Sequence, residues 1–283
     1  MKNGSTFITE ITATAELLLK TEAICLNIRP FSKTSQMVTW LSSSHGTITT
    51  SIKGAQRPKS AFIGKYDLAY TCELVFYAHE SNGIHHIREC FPLLFRESLR
   101  THWRAAIAAG YACDLALRTA QPGLPNPALY EALQNVLNAL PDCRECDVPL
   151  ALLWFESNLL TATGVAPDFN ICKTCATTPR HLFSVEEGLF ICKHRLSRLS
   201  HPLTLLLHDD ISNLFNYFIA NTITSVLEEA RQSPRRDDLN RPEPFPGIFG
   251  LRRFLGIFLM SHLDLLPGPR RTTLDLLISG STR

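Results

Sequence analysis

"TEAICLNIRPFSKTSQMVTWLSSSHGTITTSIKG", residues 21–54, decides the fold, because it holds three strand-like runs and no helical period. The runs 22–30, 36–42 and 46–54 are short and rich in β-branched residues, with polar residues or glycine between them. His45-Gly46 falls where a tight turn joins the second run to the third. Beyond a basic loop, "LAYTCELVFYAH" (68–79) and "GIHHIRECFPLL" (83–94) add two further strands. Short strands in series with no helix between them imply a small barrel. The OB-fold is the five-stranded barrel that binds oligonucleotides.

From about residue 95 the period changes. "LRTHWRAAIAAGYACDLALRTA" (99–120) carries apolar residues at helical spacing. "NPALYEALQNVLNAL" (126–140) opens with Asn126 as N-cap and Pro127 in the first helical position. "VPLALLWFESNLLTATG" (148–164) closes on Gly164. Helical stretches over 209–231 and 248–264 follow, separated by the proline-rich 233–247. The sequence therefore divides into an extension (1–19), an OB-fold domain (20–95) and a helical domain (96–283) that carries a cysteine insert (168–198). The fold class is α+β and multidomain: a five-stranded barrel, then an all-helical domain with a zinc-ribbon-like element. Two or three units suit a length of 283 residues.

Charge is distributed unevenly. Between Lys20 and Tyr66 stand Lys20, Arg29, Lys33, Lys53, Arg57, Lys59 and Lys65 against one acid, Glu22, although the whole chain carries only +2. Lys53, Arg57 and Lys59 share a loop shaped by Gly54 and Pro58, and such a loop is suited to tracking phosphates. The bland reading, a solvated loop, is weakened by the scarcity of acids around it. Trp40, Phe62, Tyr66 and Tyr70 are candidates for stacking on bases, with barrel core the expected role for at least half of them.

The insert "DFNICKTCATTPRHLFSVEEGLFICKHR" (168–195) has the spacing C-x2-C-x16-C-x-H. Two facing knuckles need short intervals within each ligand pair, which Cys172 and Cys175, and Cys192 and His194, supply. Three thiolates and one imidazole form an accepted structural zinc site. Arg195 stands where a fourth cysteine would, and Ala176 replaces the glycine that eases a knuckle turn. A hairpin packing three reduced thiols without an ion, and redox chemistry, are the alternatives. Cys143 and Cys146 form a second C-x-x-C, but the helix over 148–163 sets it roughly 20 Å from Cys172.

Enzyme signatures are missing from the sequence. No phosphate-binding loop precedes Gly64-Lys65, no G-x-G-x-x-G occurs, and neither H-E-x-x-H nor the deaminase pattern is present. Glu10 and Glu16 interrupt the first apolar stretch, unlike a secretory signal, and no run reaches the roughly 18 apolar residues of a membrane span. Nine cysteines in such a chain point to a reducing, cytoplasmic setting, where C-x-x-C suggests metal or redox chemistry.

Taken together, the strand series over 21–60, "GVAPDFNICKTC" and "FSVEEGLFIC" resemble the RecO family of bacterial recombination mediators, from residue 21 to about 195. Beyond that point the match is in helical character alone. The resemblance implies an N-terminal OB-fold, a helical domain with an inserted zinc element, and no catalytic activity. It implies binding of single- and double-stranded DNA, annealing of complementary strands, and action with RecR to load RecA onto DNA coated by single-strand-binding protein. A nucleoid-associated location in the cytoplasm follows from that role. DNA contact then falls to Arg29, Lys33, Lys53, Arg57, Lys59 and Lys65, and the zinc ligands are Cys172, Cys175, Cys192 and His194. Departures from the family pattern are Gln56, Ala176, Arg195 and the extension 1–19. A second function class is a thiol-disulfide or zinc-dependent enzyme built on the C-x-x-C pairs, which a low-pKa thiol would favour.

Overall fold

The computed structural model describes residues 17–78, 83–170, 182–191, 203–232 and 245–279. Five strands close a barrel: β1 (Leu17–Pro30), β2 (Gln36–Ser42), β3 (Gly46–Ile52), β4 (Thr71–Ala78) and β5 (Ile84–Leu94). Their order is β1-β2-β3-β5-β4, with β3 and β5 parallel and the other pairs antiparallel, as in an OB-fold. Closure rests on the length of β1. Its first half, from Leu17 to Ile24, pairs with β4, and its second half, from Ala23 to Pro30, pairs with β2. A register shift between Cys25 and Asn27 lets one strand serve both neighbours. The strand starts at Leu17, upstream of the run visible in the sequence, because the β4 ladder extends it.

The segment "AICL" (23–26) is buried throughout, since β1 is covered on both faces. Ala23 and Cys25 face the barrel core with Val38, Trp40, Ile48, Leu74 and Phe76. Ile24 and Leu26 belong instead to the core of the helical domain. Trp40 is fully buried, and its indole N–H donates to Thr50 Oγ1 at 2.9 Å, so burial leaves no polar atom unmet.

The helices are α1 (Trp103–Thr119), α2 (Pro127–Ala139), α3 (Val148–Ala162), α4 (Asp209–Ala220), α5 (Ile223–Gln232), α6 (Ile248–Leu263) and α7 (Pro267–Ser279). Asn126 caps α2 as its sequence predicts, accepting from the Leu129 amide at 3.0 Å. Helix α3 is apolar around most of its circumference and is the axis on which the others pack. The expected stretch over 209–231 is two helices. Thr222 Oγ1 accepts from Ser225 N at 3.3 Å and starts α5, while Trp154 Nε1 and Asn158 Nδ2 of α3 donate to the Asn221 and Phe218 carbonyls at the end of α4. Helix α7 was not legible as a helix in the sequence.

Three short strands, β6 (Leu182–Ser184), β7 (Leu189–Phe190) and β8 (Thr204–Leu206), form a small sheet ordered β7-β6-β8. It is fastened by phenylalanines. Phe183 lies 5.5 Å from Phe190, 5.3 Å from Phe254 and 6.2 Å from Phe258, and Phe169 closes the cluster against Phe215. Polar ties join barrel to helices: Tyr130 donates to Glu22 Oε1 at 2.7 Å, and Arg96 reaches Thr71 Oγ1 on one side and Asn138 Oδ1 on the other.

Candidate nucleic-acid interface

Two loops make one end of the barrel. The β1–β2 turn is closed by Phe31 N and Ser32 N donating to the Ser35 carbonyl, at 2.9 and 3.2 Å. The β3–β4 loop docks on it through Gln56 N to the Thr34 carbonyl at 3.0 Å. The loop is a chain of tight turns, with Arg57 N bonded to Gly54 O, Ser60 N to Arg57 O, Ile63 N to Ser60 O, and Lys65 N to Phe62 O. Gly54 has φ +68, and the Arg57 side chain passes over it, 3.2 Å from where a Cβ would stand. Ala55 is buried and anchors the loop to the barrel core.

This docking brings the sequence-predicted bases together. Arg29 and Lys33 flank the β1–β2 turn, Lys53, Arg57 and Lys59 lie on the β3–β4 loop, and all five are exposed. None forms an ion pair among the described residues. Every described carboxylate of the barrel is engaged elsewhere: Glu22 with Tyr130, Glu73 with Lys20 at 2.9 Å, Asp67 with Arg100, and Glu89 with Arg88 at 3.5 Å. Unneutralised positive charge is therefore concentrated at one end. Lys65 sits apart from the five, half-buried, with its ammonium 5.4 Å from the centre of the Phe91 ring.

The four candidate aromatics divide as expected, with at least half of them in the barrel core. Trp40 and Tyr70 are core residues, and Phe62 and Tyr66 are half-buried against that core. Burial pushes the Tyr66 phenol up to about 12. Sequence reasoning missed Phe31, which is 66% exposed at the tip of the basic end. Its place between Arg29 and Lys33 in a turn, rather than in a strand, was the available signal.

The expected zinc ligands Cys172, Cys175, Cys192 and His194 lie outside the described residues. The hairpin between them is described: Ile191 N donates to the Leu182 carbonyl at 2.9 Å, so the two ends at which the cysteine-bearing segments join stand side by side. Burial pushes the half-buried Cys143 thiol up to about 12, with Asp147 adding to the shift, which is the opposite of what a redox dithiol needs. Among the described residues no helix is long and apolar enough to cross a membrane.

A closed OB-type barrel with a cationic end, carried on a helical domain, has the charge layout and the fold of the OB-barrel class. The family description "Recombination protein O N terminal" matches residues 17–93, and "Recombination protein O C terminal" matches residues 100–208. The chain belongs to the RecO family. It is 24% identical over 253 residues to the DNA repair protein RecO of Alkaliphilus metalliredigens, covering 88% of this chain and 95% of that one. It is 28% identical over 158 residues to the DNA repair protein RecO of Moorella thermoacetica, about half of each chain (56% and 57%). The Bacillus subtilis protein of that name is 26% identical over 181 residues, 63% of this chain and 69% of its own.

Proposed function

We propose that this chain is a non-enzymatic recombination mediator in DNA repair. It binds single- and double-stranded DNA through the cationic barrel end and anneals complementary strands. With RecR it helps load RecA onto DNA coated by single-strand-binding protein. The observation that carries the reading is the docking of the two basic loops, which leaves Arg29, Lys33, Lys53, Arg57 and Lys59 exposed and without acidic partners among the described residues. Membership of the RecO family supplies the repair context. The test is to mix the protein with complementary oligonucleotides, without nucleotide, and follow annealing. Annealing without ATP is expected, and RecR should bind and modulate it. A strict requirement for hydrolysis by this chain would overturn the assignment.

The loop carries a sharper expectation. Replacing Lys53, Arg57 and Lys59 together by Ala should weaken binding to all oligonucleotide sequences about equally, because phosphate contacts position without specifying. Each phosphate contact to a single strand contributes a slope of about −0.7 in log K against log salt, so the slope should flatten by roughly two units. Unchanged affinity and slope in the folded variant would move the DNA path elsewhere, with Arg252 and Arg253 of α6 the next to replace.

Zinc is part of the same proposal. Three thiolates and one imidazole, Cys172, Cys175, Cys192 and His194, suit a single structural ion, which would cross-link the two segments leaving the β6–β7 hairpin. Metal analysis of protein purified without chelator should give close to one zinc per chain. Stripping it should loosen the flanking segments more than the hairpin, which Phe183 and Phe190 hold against the helices. A reproducible zero in folded protein would establish a hairpin that works without an ion.

A further inference from the structure

The exposure of Phe31 has no explanation in packing. It is greater than that of any other aromatic among the described residues, and the ring joins no ring–ring or cation–ring contact described for the chain. The turn does not depend on the ring, because Phe31 N, Ser32 N and Ser35 N already find partners at 2.9 to 3.2 Å. Pro30 precedes it and ends the β1–β2 pairing opposite Gln36, so the backbone entering the turn is restricted in φ. An apolar ring is thus held outward on a stiff support, with an exposed cation two residues away on either side.

Resting on the reading that this barrel end binds nucleic acid, we propose that Phe31 is a stacking platform for an unpaired nucleobase. Arg29 and Lys33 take the phosphates that flank that base. In a duplex each base face is already covered by its neighbours, so the ring can contribute only where a strand is open. The five cations hold both strand forms, and Phe31 adds affinity to single strands alone. Sequence plays little part, since every base offers a π-face. The stiffness of the turn matters because little conformational freedom remains to be lost when the base arrives. Trp40 and Tyr70 cannot take this role from the barrel interior.

The test uses the full chain with Phe31→Ala, Phe31→Leu and Phe31→Trp, and single-stranded and duplex oligonucleotides of equal length at one salt concentration. Ala and Leu should each weaken single-strand binding about tenfold, the range expected for loss of one base–aromatic stack. Duplex affinity and the salt slope should not move, because the phosphate contacts remain. Trp should bind single strands at least as well as Phe. A 2-aminopurine in the strand should be quenched by the wild type and by Phe31→Trp, and not by Phe31→Ala. Equal losses on both strand forms, or full affinity with Leu, would overturn stacking and leave a general apolar contact. Unchanged single-strand affinity in Phe31→Ala would overturn this inference while leaving the wild type's DNA binding intact. Failure of the wild type to bind any oligonucleotide would remove the nucleic-acid reading itself, and this one with it.

Discussion

Glu156→Gln should cost about 3–5 kcal/mol of folding stability, the range for breaking a buried ion pair by removing one charge. Glu156 is fully buried in α3 and accepts three hydrogen bonds at 2.7 Å: from Tyr111 OH and Arg270 Nε at Oε1, and from Arg270 Nη2 at Oε2. Burial by itself would lower the Arg270 pKa, but the charge of Glu156 outweighs it, and the guanidinium is held protonated more firmly than usual. Burial, and then the same carboxylate, drives the Tyr111 phenol upward, so both partners stay protonated and donating at any ordinary pH. A neutral amide in place of the carboxylate would therefore leave a cation between α1, α3 and α7 with no compensating charge. Urea denaturation should show the loss as a lower midpoint. Replacing the whole network, Glu156→Leu with Arg270→Met and Tyr111→Phe, should recover most of it, because the apolar side chains need no solvation and no buried hydroxyl is left without its acceptor. A single-variant cost below about 1 kcal/mol would mean that water reaches the pair.

The helical domain was only partly legible, and this pair shows why. Glu156 stands out in "LALLWFESNLL" as a charge among residues that must be buried, so the need for a partner could be read. The partner could not, because it lies 114 residues away on a helix that begins "PGPRRTT". Proline and glycine at the start of that segment concealed α7, whereas Leu274 and Leu277, one helical turn apart and both buried, were its signal. The close approach is also invisible in sequence: a Cβ on Gly256 of α6 would meet Arg270 Nη1 at 2.7 Å.

The barrel was read more completely, since strand pairing follows local alternation and turn residues. Its cationic end was half read. Clustered charge is a compositional signal, and it identified Arg29, Lys33, Lys53, Arg57 and Lys59. Aromatic exposure depends on which face of which strand is covered. That is settled by closure of the barrel and by α1, so Trp40 and Tyr70 could be named as stacking candidates and yet lie in the core.

At Gly46 the barrel and the helical domain meet backbone to backbone, and Gly46→Ala should loosen that joint. The sequence marks Gly46 as a turn residue, and it does pair with Ser42 to close the β2–β3 hairpin with φ +67. Conformation is the smaller part of its role. A Cβ there would press on the Gln121 carbonyl oxygen, and it would stand 2.5 Å from the Leu124 carbonyl oxygen and 2.8 Å from the Leu124 nitrogen. All three are backbone atoms of the α1–α2 connection, so no side chain can swing aside. Thr47 N, next in the strand, donates to the same Gln121 carbonyl at 3.1 Å, so moving the connection away also breaks a hydrogen bond. Left-handed backbone costs an alanine about 1–2 kcal/mol, and overpacking adds roughly 1–3 kcal/mol. Gly64→Ala separates the two effects, because Gly64 has φ +70 with nothing within 4 Å of its would-be Cβ. Gly64→Ala should show the conformational cost alone. Gly46→Ala should melt at a distinctly lower temperature, with the Thr47 amide exchanging faster. Equal melting of the two variants would show that the α1–α2 connection yields freely, and that the barrel is held to the helices by Arg96, Tyr130 and the apolar contact of α1 with β1 instead.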